Sequence, residues 1–240
     1  MKKVVVLALA LIWIPVQESA AGLNDYLQSI QKATGGESSG LSNSTIVDGL
    51  KQALQVGTGD AVSTVSKVNG YYKNPDIKIL LPQNVRKVES LLRGVGYGDT
   101  IDAFEESMNR AAEKAAPQAK EYFVDAIKEM TFDDARKILN GGDNAATLYF
   151  EEKTRGKLFT AFEPIVHDKM AEVGVTRYYQ DLNSRVKNIP FAGDLNFDLD
   201  KYVTNKSLDG LFTMVAQEEA KIRKDPAARV TDLLKKVFGQ

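Results

Sequence analysis

The feature that most limits how this chain can fold is a long stripe of small apolar residues near its middle. Ile101, Phe104, Met108, Ala111, Ala115, Ala119, Tyr122 and Ala126 recur at steps of three and four, which lines them along one side of a helix. The later members are mostly alanine. An alanine stripe fills little space by itself, so it predicts a neighbouring helix packed closely against it. Asp99 or Thr100 is suited to cap the start of this helix. Pro117 lacks an N–H and crowds the turn before it, so the helix must kink there or a second one must begin.

The rest of the chain reads in the same way. Ser42 or Asn43 precedes a helix with Ile46, Leu50, Leu54 and Val62 on its apolar face and Gly57 and Gly59 in its weakened middle. Asn74-Pro75 stops it, Ile77 to Leu81 is a short extended or buried link, and Pro82 suits the first turn of a helix ending near Gly94 to Gly98. Thr131-Phe132-Asp133-Asp134 has the form of a capping box, with Asp in place of the usual Glu or Gln, and opens a short helix that stops at Gly141-Gly142. Asp143 is placed to cap a helix running from Ala145 towards Val173, with a bend expected at Pro164. A further helix starts at Thr176 and stops before Pro190. Another carries Leu208, Leu211, Phe212, Val215 and Ile222, and a last one starts at Asp225-Pro226. No alternating strand pattern of useful length appears, so the expected fold is an all-α, single-domain bundle of about eight helices.

The first residues read as an export signal. Lys2 and Lys3 precede the apolar run Val4 to Ile14, Pro15 ends it, and the small residues Ser19 and Ala21 suit cleavage before Gly22. At 11 residues the run falls short of the roughly 18 to 20 that span a bilayer as a helix. The expected organisation is therefore a cleaved signal peptide over 1–21, a short helix and flexible Gly/Ser linker over 22–41, and a helical domain over 42–240. The mature chain is expected in the periplasm or outside the cell, without a transmembrane segment. It has no cysteine, which excludes disulfides, thiol chemistry and lipid attachment at a cleavage-site cysteine. A net charge of −1 lacks the basic excess that a phosphate backbone demands, so nucleic acid is not an expected partner.

Few residues suggest chemistry. His167 is the only histidine, and its neighbours Val166, Asp168 and Lys169 form no catalytic motif. Asp194, Asn196, Asp198 and Asp200 alternate as in the start of a calcium loop. Leu199 stands where such a loop needs glycine and Asn205 where it needs glutamate, so a solvated loop capping a helix at Asp198 or Asp200 is the better reading. Gly141-Gly142-Asp143-Asn144 lacks the Lys-Ser/Thr of a phosphate loop and reads as a tight turn. The end of Glu218 to Gly239 is basic and amphipathic, with Lys235 and Lys236 beside Val237 and Phe238, and is expected to dock on the core.

Asn109, Arg110 and Glu113 are the main candidates. They lie one turn apart on the alanine-rich helix, with Glu106 four residues before Arg110. Two readings stand: an ordinary surface Glu–Arg pair, or a buried group in which Arg110 pairs with carboxylates or holds an anionic ligand.

Several segments together resemble one family: GLKQAL (Gly49 to Leu54), NRAAEKAAPQAK (Asn109 to Lys120), DDARKILNGGDNAATLYF (Asp133 to Phe150), LDGLF (Leu208 to Phe212) and the tail from Glu218 to Gly239. They look like the bacterial family called domain of unknown function 4197. The resemblance implies an exported helical protein, often a lipoprotein, with no settled activity and no catalytic residue to carry over. The missing cysteine departs from the lipoprotein members, so membrane tethering is not implied.

The sequence therefore leads to a periplasmic binding or accessory protein for an apolar or amphipathic ligand, with no catalytic residues, metal or cofactor expected. Asn109, Arg110, Glu113, Tyr149, Tyr178 and Tyr179 are the candidate ligand-binding residues, with Tyr71, Tyr72 and Phe150 as further possible lining. The alternative is an envelope structural or interaction module, so the expected partner is an unidentified small molecule or an envelope protein.

Overall fold

The computed structural model describes residues 43–172 and 198–224, with Arg177, Gln180, Asp181 and Ser184 between them. The expected signal peptide, the Gly/Ser linker, most of the helix from Thr176 and the helix from Pro226 lie outside the described residues.

The described elements are α1 (Asn43–Val65), α2 (Gln83–Gly94), α3 (Gly98–Ala115), a 3₁₀ turn (Ala116–Gln118), α4 (Ala119–Glu129), α5 (Phe132–Leu139), α6 (Ala145–Glu172) and α7 (Leu199–Lys224). Ala115, Ala116, Gln118 and Ala119 all keep right-handed helical backbone angles. The rod α3–turn–α4 is thus one helix tightened at Pro117, which sits exposed in the turn where its missing N–H harms no buried bond. Six helical rods result, fewer than the eight expected, and no strand occurs among the described residues. The all-α class holds.

The rod α3–α4 carries the stripe that the sequence announced. Ile101, Phe104, Met108, Ala111, Ala115 and Ala119 are each 0% exposed, and Ala112 and Ala116 are buried with them. The buried side is therefore wider than one stripe, because α1, α6 and α7 all pack on this rod. Where the alanines end, large rings take over. Phe123 of α4 meets Phe150 of α6 edge to face at 5.2 Å and Phe212 of α7 at 6.0 Å. Removing such a ring from a closed core costs about 3–5 kcal/mol.

Local signals fix the helix ends. The C-terminus of α2 is a Schellman motif: Tyr97 N–H donates to Leu92 O at 3.0 Å and Gly96 N–H to Arg93 O at 3.1 Å, with Gly96 at φ 94°. Thr131 and Asp134 complete the capping box of α5 reciprocally, so Asp does serve at its third position. At α3 the expectation fails. The helix starts earlier, at Gly98, with Tyr97 at the cap position and no side-chain cap, because the turn after α2 feeds straight into it.

Between α1 and α2 the chain is irregular and buries Tyr71, Ile77, Ile79 and Leu81, while Val68 and Leu80 stay exposed. Tyr71 explains Gly210 of α7. A Cβ at Gly210 would lie 2.6 Å from Tyr71 Cε1 and 3.1 Å from Ile77 Cβ, so the ring fits only because the helix has no side chain there. Tyr71 O–H then donates to Ser207 O at 2.6 Å, one turn earlier on α7.

Two glycine substitutions should therefore act in opposite directions. Gly210→Ala should lower stability by about 1–3 kcal/mol through overpacking. Gly59→Ala, in α1 with nothing within 4 Å of the added carbon, should raise it by about 0.5–1 kcal/mol. Urea unfolding of both variants checks the pair, and equal shifts would sink the argument.

Candidate functional site

The Asn109–Glu113 group is built on α3 and faces the irregular segment 66–82. Its buried reading is correct for Asn109, which is 0% exposed, and Glu113, at 5%. Asn109 Oδ1 accepts from Ile79 N–H at 2.8 Å while its Nδ2 donates to Ile79 O at 2.9 Å and to Glu105 O at 2.8 Å. The carboxamide thus pairs with both backbone groups of one residue, as a neighbouring strand would. Glu113 Oε1 accepts from the N–H groups of Tyr71 at 3.1 Å and Tyr72 at 3.2 Å. Its other oxygen accepts from Arg110 Nη1 at 2.8 Å.

Arg110 closes the group from the solvent side. Its Nη2 donates to Glu106 at 2.8 Å and to Asn69 Oδ1 at 2.9 Å, and its guanidinium lies 5.4 Å from the centre of the Tyr72 ring. Lys78 approaches the same ring and pairs with Glu105. Burial works against the Arg110 charge, but the Glu113 and Glu106 carboxylates outweigh it and hold its pKa above the ordinary arginine value. Every strong donor of Arg110 ends on this chain's own oxygens. The arrangement is a staple that fastens segment 66–82 to α3.

A second staple joins α5, α6 and α7, and sequence reasoning missed it. Glu219 of α7 is 6% exposed. Its oxygens accept from Ala146 N–H at 2.9 Å, Thr147 N–H at 2.8 Å and Thr147 O–H at 2.8 Å, at the start of α6. Arg223 Nε donates to the same carboxylate at 3.0 Å, and its Nη2 donates to Ile138 O at 2.8 Å at the end of α5. One carboxylate caps α6, where free N–H groups and the helix dipole favour negative charge, and one guanidinium caps α5. Asp143, the expected cap of α6, instead pairs with Lys224 at 2.6 Å at the surface. The available signal was the Glu219–Arg223 spacing of four, which gives no hint of burial.

The remaining candidates are dispersed. Tyr149 is 9% exposed and donates its O–H to Ala126 O at 2.8 Å; burial, with nearby Asp134, pushes its pKa up to about 12. It is a core residue tying α6 to α4. Phe150 is buried in the aromatic cluster. Tyr178 and Tyr179 lie outside the described residues, as do Asp194 and Asn196. Asp198 does cap a helix, its Oδ1 accepting from Lys201 N–H at 3.0 Å at the start of α7. Asp200 accepts or shares a proton with His167 Nδ1 at 2.6 Å, which raises the histidine pKa above its ordinary 6.5. Among the described residues no group of three or more His, Asp or Glu side chains is placed to hold a metal ion. No described helix is long and apolar enough to cross a membrane. Thr204 Oγ1 is the buried side-chain polar atom left without a partner among the described residues.

Two apolar depressions flank the second staple, lined by Leu50, Ala53, Leu54, Ile138, Ala146 and Ile222 in one and by Gly57, Phe150 and Val215 with shared neighbours in the other. Each has room for about 10 Å³, roughly one water.

The class defined by these features is an all-helical domain whose buried polar side chains act as fasteners between its own elements. The family model described as protein of unknown function (DUF4197) matches residues 40–239, and the chain belongs to that family. No curated protein and no solved structure matches the chain.

Two outcomes follow from the staples and the histidine. Glu113→Ala should cost about 2–4 kcal/mol, because it strands two N–H groups and a half-buried guanidinium. Arg110→Ala should cost less, about 1 kcal/mol, since Arg110 stands closer to solvent; thermal melts of both variants check the order. The His167–Asp200 contact stabilises the charged imidazole. With the folded pKa raised, its contribution is complete below the unfolded pKa and is lost as pH rises through the folded pKa. NMR titration of the single imidazole should read above 6.5, and Asp200→Asn should bring it down.

Proposed function

We propose that this chain is an exported, non-catalytic module that works through its outer surface on another component of the cell envelope. The observation that carries the reading is how little room the depressions among the described helices leave. Pockets for drug-sized ligands measure about 300 Å³ or more, whereas the depressions between α1, α5, α6 and α7 hold about 10 Å³ each. The best candidate for binding an anion, Arg110, already holds Glu106, Glu113 and Asn69.

This moves the balance from the first expectation, a carrier enclosing an apolar or amphipathic ligand, to the second. Apolar side chains are available on the outside. Leu91 is 48% and Val95 60% exposed, one turn apart at the end of α2. Export is read from the signal pattern of residues 1–21, which supports a partner in the periplasm or beyond.

Native mass spectrometry of the protein, purified gently from its own envelope, combined with crosslinking in intact cells, tests the reading. A bare-chain mass together with a reproducible crosslinked protein partner is the expected result. A mass excess that disappears on denaturation, with no crosslinked partner, would restore the ligand carrier and direct attention to Tyr178 and Tyr179.

A further inference from the structure

We propose that Asn140 is a site of spontaneous deamidation and isomerisation, at the turn joining α5 to α6, while the chemically equivalent Asn69 is protected by the fold. Among the described residues these are the two asparagines followed by glycine, Asn69-Gly70 and Asn140-Gly141. Glycine has no Cβ to shield its amide nitrogen or to restrict the chain, so this dipeptide is the most reactive context for the reaction. The glycine nitrogen attacks the asparagine Cγ, a C–N bond forms, and the amide proton passes to solvent. The Cγ–NH₂ bond breaks and ammonia leaves. Water then opens the resulting succinimide at either carbonyl, giving a normal or a β-linked aspartyl residue. No oxidant, enzyme or cofactor enters.

The two sites differ in what resists this ring closure. At Asn69 the Oδ1 is held by Arg110 Nη2 at 2.9 Å, and Gly70 N–H donates to Lys67 O at 2.8 Å. Turning Asn69 towards its neighbour's nitrogen therefore breaks the first staple. Asn140 is exposed and caps α5 at φ −88°, ψ −1°. Gly141 N–H makes one long bond, 3.3 Å to Ile138 O, and that same oxygen is claimed at 2.8 Å by the Arg223 guanidinium. The charged donor holds the acceptor whether or not Gly141 stays. Opening this turn is local fraying, and opening the other requires displacing buried structure.

The labile pair persists for a packing reason. A Cβ at Gly141 would lie 2.5 Å from Ala145 Cβ and 2.7 Å from Lys137 O, so glycine is what lets α6 start so close to α5. Conversion would put a carboxylate at the negative end of the α5 dipole, three residues before Asp143.

The test is peptide mapping by tandem mass spectrometry of the full chain, aged in warm, mildly alkaline buffer, with a parallel sample unfolded in urea. In the folded protein Asn140 should convert at least about tenfold faster than Asn69, and in urea the two rates should come within about threefold of each other. Asn140→Ser, accepted by the ordinary backbone angles there, should remove that mass gain alone. Equal rates in the folded protein, or conversion of Asn140 only after unfolding, would overturn the proposal.

Discussion

Close approach at the alanine face of α3 is the constraint from which the other features follow. Ala111, Ala112, Ala115 and Ala116 let α1, α6 and α7 come near the rod's backbone, so anything lying between them loses contact with water. Tyr71, Ile77, Ile79 and Leu81 of the irregular segment 66–82 are buried there. The segment's N–H and C=O groups have no helix or sheet of their own, and leaving one unpaired would cost about 1–3 kcal/mol. Asn109 and Glu113 supply the missing partners from the same helix whose alanines created the need. The small residues and the polar residues of α3 are two halves of one solution.

The same logic operates where α5, α6 and α7 meet. Helices α5 and α6 meet at a turn so tight that Gly141 tolerates no side chain, and the start of α6 is covered by α7. The exposed backbone groups at that junction would be stranded without Glu219 and Arg223. Buried ionic groups on this chain are therefore structural necessities of close-packed helix ends. A bundle with bulkier faces and longer loops would leave those ends to water.

What could be read in the sequence divides along the range of the interaction. The apolar stripe from Ile101 to Ala126, the Thr131 capping box and the helix end near Gly94 to Gly98 are set by neighbours within a few residues, and all appear in the structure. The start of α3 was misplaced because Tyr97 is governed by the preceding Schellman turn rather than by its own capping ability. The grouping of Asn109, Arg110 and Glu113 was visible as spacing, yet its partners at Ile79, Tyr71 and Asn69 were not, since only the tertiary fold brings that segment across. Glu219 was invisible for the same reason. It resembles any surface glutamate until the start of α6 is laid against it. The aromatic residues proposed as lining could not be told from core residues by type alone, and Tyr149 and Phe150 are core.

The distance along the chain between Glu219 and the groups it caps has a temporal consequence. The first staple closes over 30 to 42 residues, so the segment from α1 to α3 can organise early. The second spans 72 residues from Thr147 to Glu219 and 85 from Ile138 to Arg223, and it waits for α7. Until α7 has been made, α6 starts with bare N–H groups and three packing surfaces lack their partner. A nascent chain of this design stays incompletely folded until residues 199–224 have been made and can lie across the earlier helices.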